Sequence, residues 1–153
     1  MRLLPAAAIL VWLGIMAFFA GVVAPAAFST LDREAAGRFV SAVFPRYYAV
    51  GAGLGGLALA GVGLRLALGP RRPWDGLPLL LVAVMLATTL YAWLVVLPAA
   101  QAAREALRQS AAGPGVVSTE ALAFARLHRL SGVLNGAVML AGVLTLAAVG
   151  LRR

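Results

Sequence analysis

His128, Ser131, Gly132 and Asn135 recur at i, i+3, i+4 and i+7, the spacing that puts residues on one face of a helix. His128 is the only histidine of the chain. An imidazole, a hydroxyl and a carboxamide in one stripe can hold a polar ligand, pass a proton or offer one bond to a metal. Polar groups inside a membrane are costly without partners, so the stripe should face the interior of a bundle. The aromatic and basic residues expected at the same end complete a candidate ligand-binding set: Pro25, Phe28, Arg46, Tyr47, Tyr91, His128, Ser131 and Asn135. A purely structural reading competes with it. Ser131 and Asn135 can tie one helix to its neighbours by hydrogen bonds worth about 0.6 kcal/mol each, with His128 simply solvated.

Catalytic constellations are missing, and no catalytic residue is assigned. The chain has no cysteine, which removes disulfides, thiolate chemistry and cysteine metal sites. No Gly-x-Ser-x-Gly elbow occurs, and the nearest carboxylate to His128 on its own helix is Glu120, two turns earlier. The balance leans away from an enzyme. No metal site is assigned either. A haem- or metal-binding redox protein is the alternative reading, with His128 as ligand and Met16, Met85 or Met139 as axial partner. One histidine cannot supply bis-histidine ligation, and no intramembrane carboxylate helps it.

The elements that must position these residues are announced by what the chain lacks. No charged side chain occurs between Arg2 and Asp32, Arg46 and Arg65, Asp75 and Arg104, or Arg129 and Arg152. About 18 or more apolar residues without charge suffice for a helix across the ~30 Å hydrocarbon layer. We expect one all-α domain over residues 1–153, an integral membrane four-helix bundle with spans at about 5–28, 47–64, 76–98 and 129–151. The first run resembles a signal peptide, with Ala24-Pro25-Ala26 as a small-residue site. It is longer than the ~7–15 apolar residues of such a segment and is expected to stay as a span.

Composition agrees. Hydrophobic residues make up 63% and charged residues 12% of the 153 positions, against roughly 25% charged in soluble domains. The net charge is +8, and all thirteen basic residues are arginine. They cluster at span ends, where arginine anchors helices and attracts anionic lipid. The bilayer is the expected partner and nucleic acid is not. The lack of lysine beside abundant Ala, Gly, Leu and Arg points to a bacterial cell membrane.

Between the spans, Ser29 or Thr30 can cap a helix whose first turn holds Asp32 and Glu34. Leu31, Ala35, Phe39 and Phe44 share one side of it, so a short interfacial helix ending before Pro45 is expected. Pro25 should kink or end the regular ladder of span 1. The link from Arg65 to Trp74 is basic and broken by Gly69-Pro70 and Pro73. Span 3 continues as an amphipathic stalk with Gln101, Arg104, Glu105 and Arg108 on its polar side, ended by Gly113-Pro114-Gly115. Ser118 then caps the last helix.

A repeat runs through this order. Val22-Val23-Ala24-Pro25-Ala26-Ala27 resembles Val95-Val96-Leu97-Pro98-Ala99-Ala100, and Arg33-Glu34-Ala35 resembles Arg104-Glu105-Ala106. A duplicated helical hairpin explains this; so does chance in an alanine-rich chain. Four spans put both termini on one side, with six arginines there and seven on the other. The six are packed closer to span ends, which favours cytoplasmic termini. The polar and aromatic residues gather on the opposite side. Any pocket should open there. Span 2 carries Gly51, Gly53, Gly55, Gly56, Gly61 and Gly63. Such a smooth strip suits packing against spans of the same chain, or a homo-oligomer or complex partner, as does Gly132-x-x-x-Gly136.

The pattern Gly14-x3-Phe18-x2-Gly21-x3-Pro25-x2-Phe28-x2-Leu31, followed by Ala36-Gly37, Phe44 and Tyr47, resembles the first half of the transmembrane protein 205-like family. Phe124-x2-Leu127-His128-x2-Ser131-x3-Asn135 resembles its last helix. The resemblance implies a small four-span membrane protein of unassigned activity, distantly similar to copper-resistance D-type membrane domains and HemJ-type haem-biosynthesis proteins. It marks Pro25, Phe28, Gly37, His128, Ser131 and Asn135 as pattern residues. Together the residues favour a multi-pass membrane protein that binds a small or amphipathic ligand on the side away from its termini. The rivals are the redox protein and a structural subunit of a membrane complex.

Overall fold

The computed structural model describes residues 3–70, 76–109 and 118–150. Pro73, Trp74 and Asp75 of the basic link, the Gly113-Pro114-Gly115 break, and Arg2, Arg152 and Arg153 lie outside the described residues. The elements are α1 (Leu3–Phe18), π1 (Phe19–Val23), α2 (Ala24–Thr30), α3 (Arg33–Leu68), α4 (Gly76–Tyr91), π2 (Ala92–Val96), α5 (Leu97–Gln109) and α6 (Thr119–Gly150). The segments α1–π1–α2 and α4–π2–α5 are each continuous, so the chain forms four long rods. All four are long and apolar enough to cross a membrane. Among the described residues there is no strand. This is an all-α four-helix membrane bundle.

Proline explains the two π segments. A proline has no N–H, and its ring crowds the carbonyl four residues back. Here the turn ahead of each proline widens by one residue. The Ala24 N–H bonds Phe19 O and the Leu97 N–H bonds Ala92 O, five residues back in both cases. Each π segment begins six residues before its proline, Pro25 or Pro98. The ladder changes pitch at Pro25 as expected, yet the rod runs on to Thr30. The sequence repeat is thus matched by a repeat of backbone geometry.

Two expectations need correction. The interfacial helix does not end before Pro45, because α3 runs unbroken from Arg33 to Leu68 with Pro45 inside it. Pro45 removes only the ladder bond to Ser41 O, and the helix carries that loss without a break. The amphipathic residues 33–44 are therefore the outer end of the second rod. Nor do Ser29 and Thr30 cap it. They still belong to α2, and both hydroxyls donate back to Ala26 O, at 3.0 and 2.7 Å. Asp32 is the cap, accepting from the Glu34 and Ala35 N–H groups at 3.0 and 2.8 Å. Ser118 does cap α6, with Ala121 N–H donating to its Oγ at 3.1 Å.

The rods close into a ring: α1 against α3, α3 against α4, α4 against α6, and α6 against α1. Its centre holds Ile9, Trp12 and Met16 from α1, Ala58 from α3, Val82 and Met85 from α4, and Val138 from α6. Trp12 sets the spacing to α3. A Cβ at Gly51 would lie 2.8 Å from its Nε1, and one at Gly55 would lie 3.0 Å from its ring. Only glycine lets the second rod come this close. Outward-facing side chains such as Leu10, Leu80 and Leu140 are exposed, as befits helices that are apolar all round and sit in lipid.

Candidate functional site

The site is built at the end of the bundle opposite the termini, where α2, the first turns of α3, α5 and the start of α6 meet. Leu31 is extended, and Asp32 restarts the helix. The Ala35 N–H, against a smaller desolvation effect, holds the Asp32 carboxyl below its ordinary value, with help from the Glu34 N–H and Arg38. The charged form of the cap is thereby favoured, and it holds the N–H groups of the α3 first turn.

Arg104 on α5 fastens that turn. Its Nη1 donates to Gly37 O and to Ser41 Oγ, the latter at 2.7 Å, and its Nη2 reaches Glu34 O at 3.4 Å. Gly37 makes this possible, because a Cβ there would run into the guanidinium. Beside it, Glu34 Oε1 accepts from Arg38 Nη1 and Arg108 Nη2, both at 2.7 Å. These ion pairs are about half exposed and contribute less than about 1 kcal/mol each. Arg104 is the more consequential cation.

Deeper in the bundle lies a neutral network. Tyr47 OH donates to Asn135 Oδ1 at 3.0 Å, and Asn135 Nδ2 donates to Ser131 O at 3.0 Å and to Tyr48 OH at 3.4 Å. Tyr48 OH and Ser131 Oγ share a hydrogen bond of 3.2 Å. Phe44 stacks on Tyr48 with ring centroids 5.9 Å apart, and Phe19 leans on both Phe44 and Tyr47. Among the described residues no buried side-chain nitrogen or oxygen lacks a partner.

Between the arginines and this network is a pocket of about 390 Å³. Phe28, Val40, Phe44, Val96, Leu97 and Phe124 supply apolar walls. Arg33, Glu34, Arg104, Arg108 and Gln101 supply a polar edge, and Tyr48, Ser131 and His128 line it from α3 and α6. The His128 ring stacks on Phe124, with centroids 6.0 Å apart. Such a chamber can hold a molecule with one apolar and one polar end.

Of the eight candidate residues, Phe28, His128 and Ser131 line this pocket. Tyr47 and Asn135 join the hydrogen-bond network that includes its Tyr48 and Ser131. Pro25, Arg46 and Tyr91 do not line it; all three are exposed, and Arg46 is turned back onto its own helix. Met16, Met85 and Met139 are not among the lining residues, and no three His, Asp or Glu side chains converge among the described residues.

Sequence reasoning missed Arg104, Gln101 and Tyr48 as pocket residues. Gln101, Arg104 and Arg108, at i, i+3 and i+7, were visible as the polar side of a stalk. What that side would meet was not. The model of one family, described as a domain of unknown function (DUF4149), matches residues 7–109. That span holds the α2, α3 and α5 walls of the pocket and ends before α6. No curated protein and no solved structure matches the chain.

Proposed function

The chain belongs to the DUF4149 family, and we propose that this multi-pass membrane protein binds a small or amphipathic ligand in the pocket bounded by α2, α3, α5 and α6. One observation carries the reading. A chamber of about 390 Å³ sets aromatic and aliphatic walls beside three arginines, a volume in the range of small-molecule sites.

Phe28, Gly37, Phe44, Phe124, His128 and Ser131, drawn from distant parts of the chain, all line this chamber. With both termini in the cytoplasm of a bacterial cell, the pocket opens on the outer face of the cell membrane. The outward strip of α3 at Gly53 and Gly56, where no atom lies within 4 Å of an added Cβ, is the surface that a second copy or another helix would use.

Ala100 lines the pocket, so Ala100→Trp should fill it. Solvent extracts of the purified wild-type protein should contain a small molecule in stoichiometric amount, and extracts of Ala100→Trp should lack it. Identical extracts from the two proteins, or an empty pair, would sink the reading.

A further inference from the structure

The cations of the pocket are not balanced by its anions. Arg33, Arg104 and Arg108 line it against a single carboxylate, Glu34. That carboxylate is already shared between Arg108 and Arg38. Arg104 bonds only neutral oxygens, the carbonyls of Gly37 and Glu34 and the Ser41 hydroxyl. Among the described residues neither Arg104 nor Arg33 has a carboxylate partner.

The donor inventory of Arg104 is equally incomplete. A guanidinium offers five N–H donors. Both on Nη1 and one on Nη2 are used. Among the described residues the Nε–H takes no protein acceptor, and Nη2 has a single one. These two groups form one edge of the guanidinium fork, which matches the paired oxygens of a carboxylate or phosphate. Arg104 is also partly buried against apolar walls, where an uncompensated charge is costly. Its seat on Gly37 and Ser41 fixes the guanidinium in advance, so little side-chain freedom is lost on binding.

We propose that the pocket takes a single-chain anionic amphiphile. Its carboxylate or phosphate head is held by Arg104 with Arg33, and its hydrocarbon chain lies along Phe44, Val96 and Phe124. The ligand class rests on the binding reading above and sharpens it. The volume supports one chain rather than two, since it lies near the lower end of the ~300–1,000 Å³ span of small-molecule sites. The neutral network of Tyr47, Tyr48, Ser131 and Asn135 is internally satisfied and carries no charge to repel a tail.

The test uses the full chain in phosphatidylcholine nanodiscs with a fluorescent long-chain fatty acid as probe. Palmitate, hexadecyl phosphate and hexadecanol compete for it; they share a chain length and differ in head group. Palmitate or hexadecyl phosphate should displace the probe at a concentration at least about tenfold below that of hexadecanol, since a charge-assisted hydrogen-bond pair is worth that much. The better of the two anions identifies the head group. Arg104→Gln should raise the concentration required of that anion by about tenfold and leave hexadecanol unchanged. If Arg104→Gln does not fold, Arg33→Gln at the exposed start of α3 should give a smaller shift of the same sign. Equal displacement by hexadecanol and both anions would overturn the anionic head while leaving the binding reading intact. Anion preference unchanged by either substitution would overturn the assignment to Arg104 and Arg33. A probe that does not bind at all would overturn both.

Discussion

At the scale of single residues, the site turns on a glycine. Gly37 is buried, and its missing side chain is the space that the Arg104 guanidinium occupies. Gly37→Ala should destabilise the bundle by about 1–3 kcal/mol, the usual effect of overpacking. Arg104→Ala should recover much of that loss, because the intruding methyl then meets no guanidinium. The double-mutant cycle in detergent decides it: additive effects would show that the two side chains do not compete for one space. Asn135→Ala should cost about 0.6–1.7 kcal/mol through its bonds to the Tyr47 and Tyr48 hydroxyls. Helical periodicity is local, so the spacing of Ser131 and Asn135 was legible as one face of α6, the face that meets Tyr47 and Tyr48; His128, a turn earlier, is exposed at the pocket. The Arg104–Gly37 contact spans 67 positions, and nothing local to either residue signals the other.

At the scale of elements, the helix starts and breaks were legible where chemistry is local and illegible where it depends on a neighbour. Asp32 carried the charge and position of a cap, yet Ser29 and Thr30 competed for the role until their hydroxyls turned to Ala26 O. Pro45 read as a terminator because proline removes a ladder bond, and the packing of α3 against α1 and α4 is not written in the residues around it. The cap makes a pH prediction. The folded carboxyl of Asp32 titrates below its ordinary value, so its capping effect is complete above the ordinary carboxylate range. It fades as pH falls through the lower folded value. Hydrogen exchange at the Glu34 and Ala35 amides should stay slow through mildly acid pH in the parent and accelerate only below it. Asp32→Ala should exchange fast at every pH, and Asp32→Asn, a good uncharged cap, should show no acid-dependent step of its own. Equal protection in the parent and Asp32→Ala would remove Asp32 as the cap.

At the scale of the molecule, the four charge-free runs sufficed to give the bundle, because burying a charge in hydrocarbon is costly in any arrangement of rods. Rod order and spacing were not readable from those runs. They follow from shape, above all from Trp12 seated on Gly51 and Gly55. The glycine-rich α3 therefore has two strips with different duties. Gly55→Leu would drive a side chain into Trp12 and Leu86, and should lower stability by about 1–3 kcal/mol without altering native mass. Gly56→Leu points where no atom lies within 4 Å, and should leave stability within about 0.5 kcal/mol of the parent. If the two substitutions were equally damaging, Trp12 would not set the spacing of the first two rods. If Gly56→Leu alone lowered the native mass while folding remained intact, the outward strip would be assigned to a partner helix. Stability and mass, read together on the same detergent-purified pair, thus separate the surface that builds the monomer from the surface that joins it to something else.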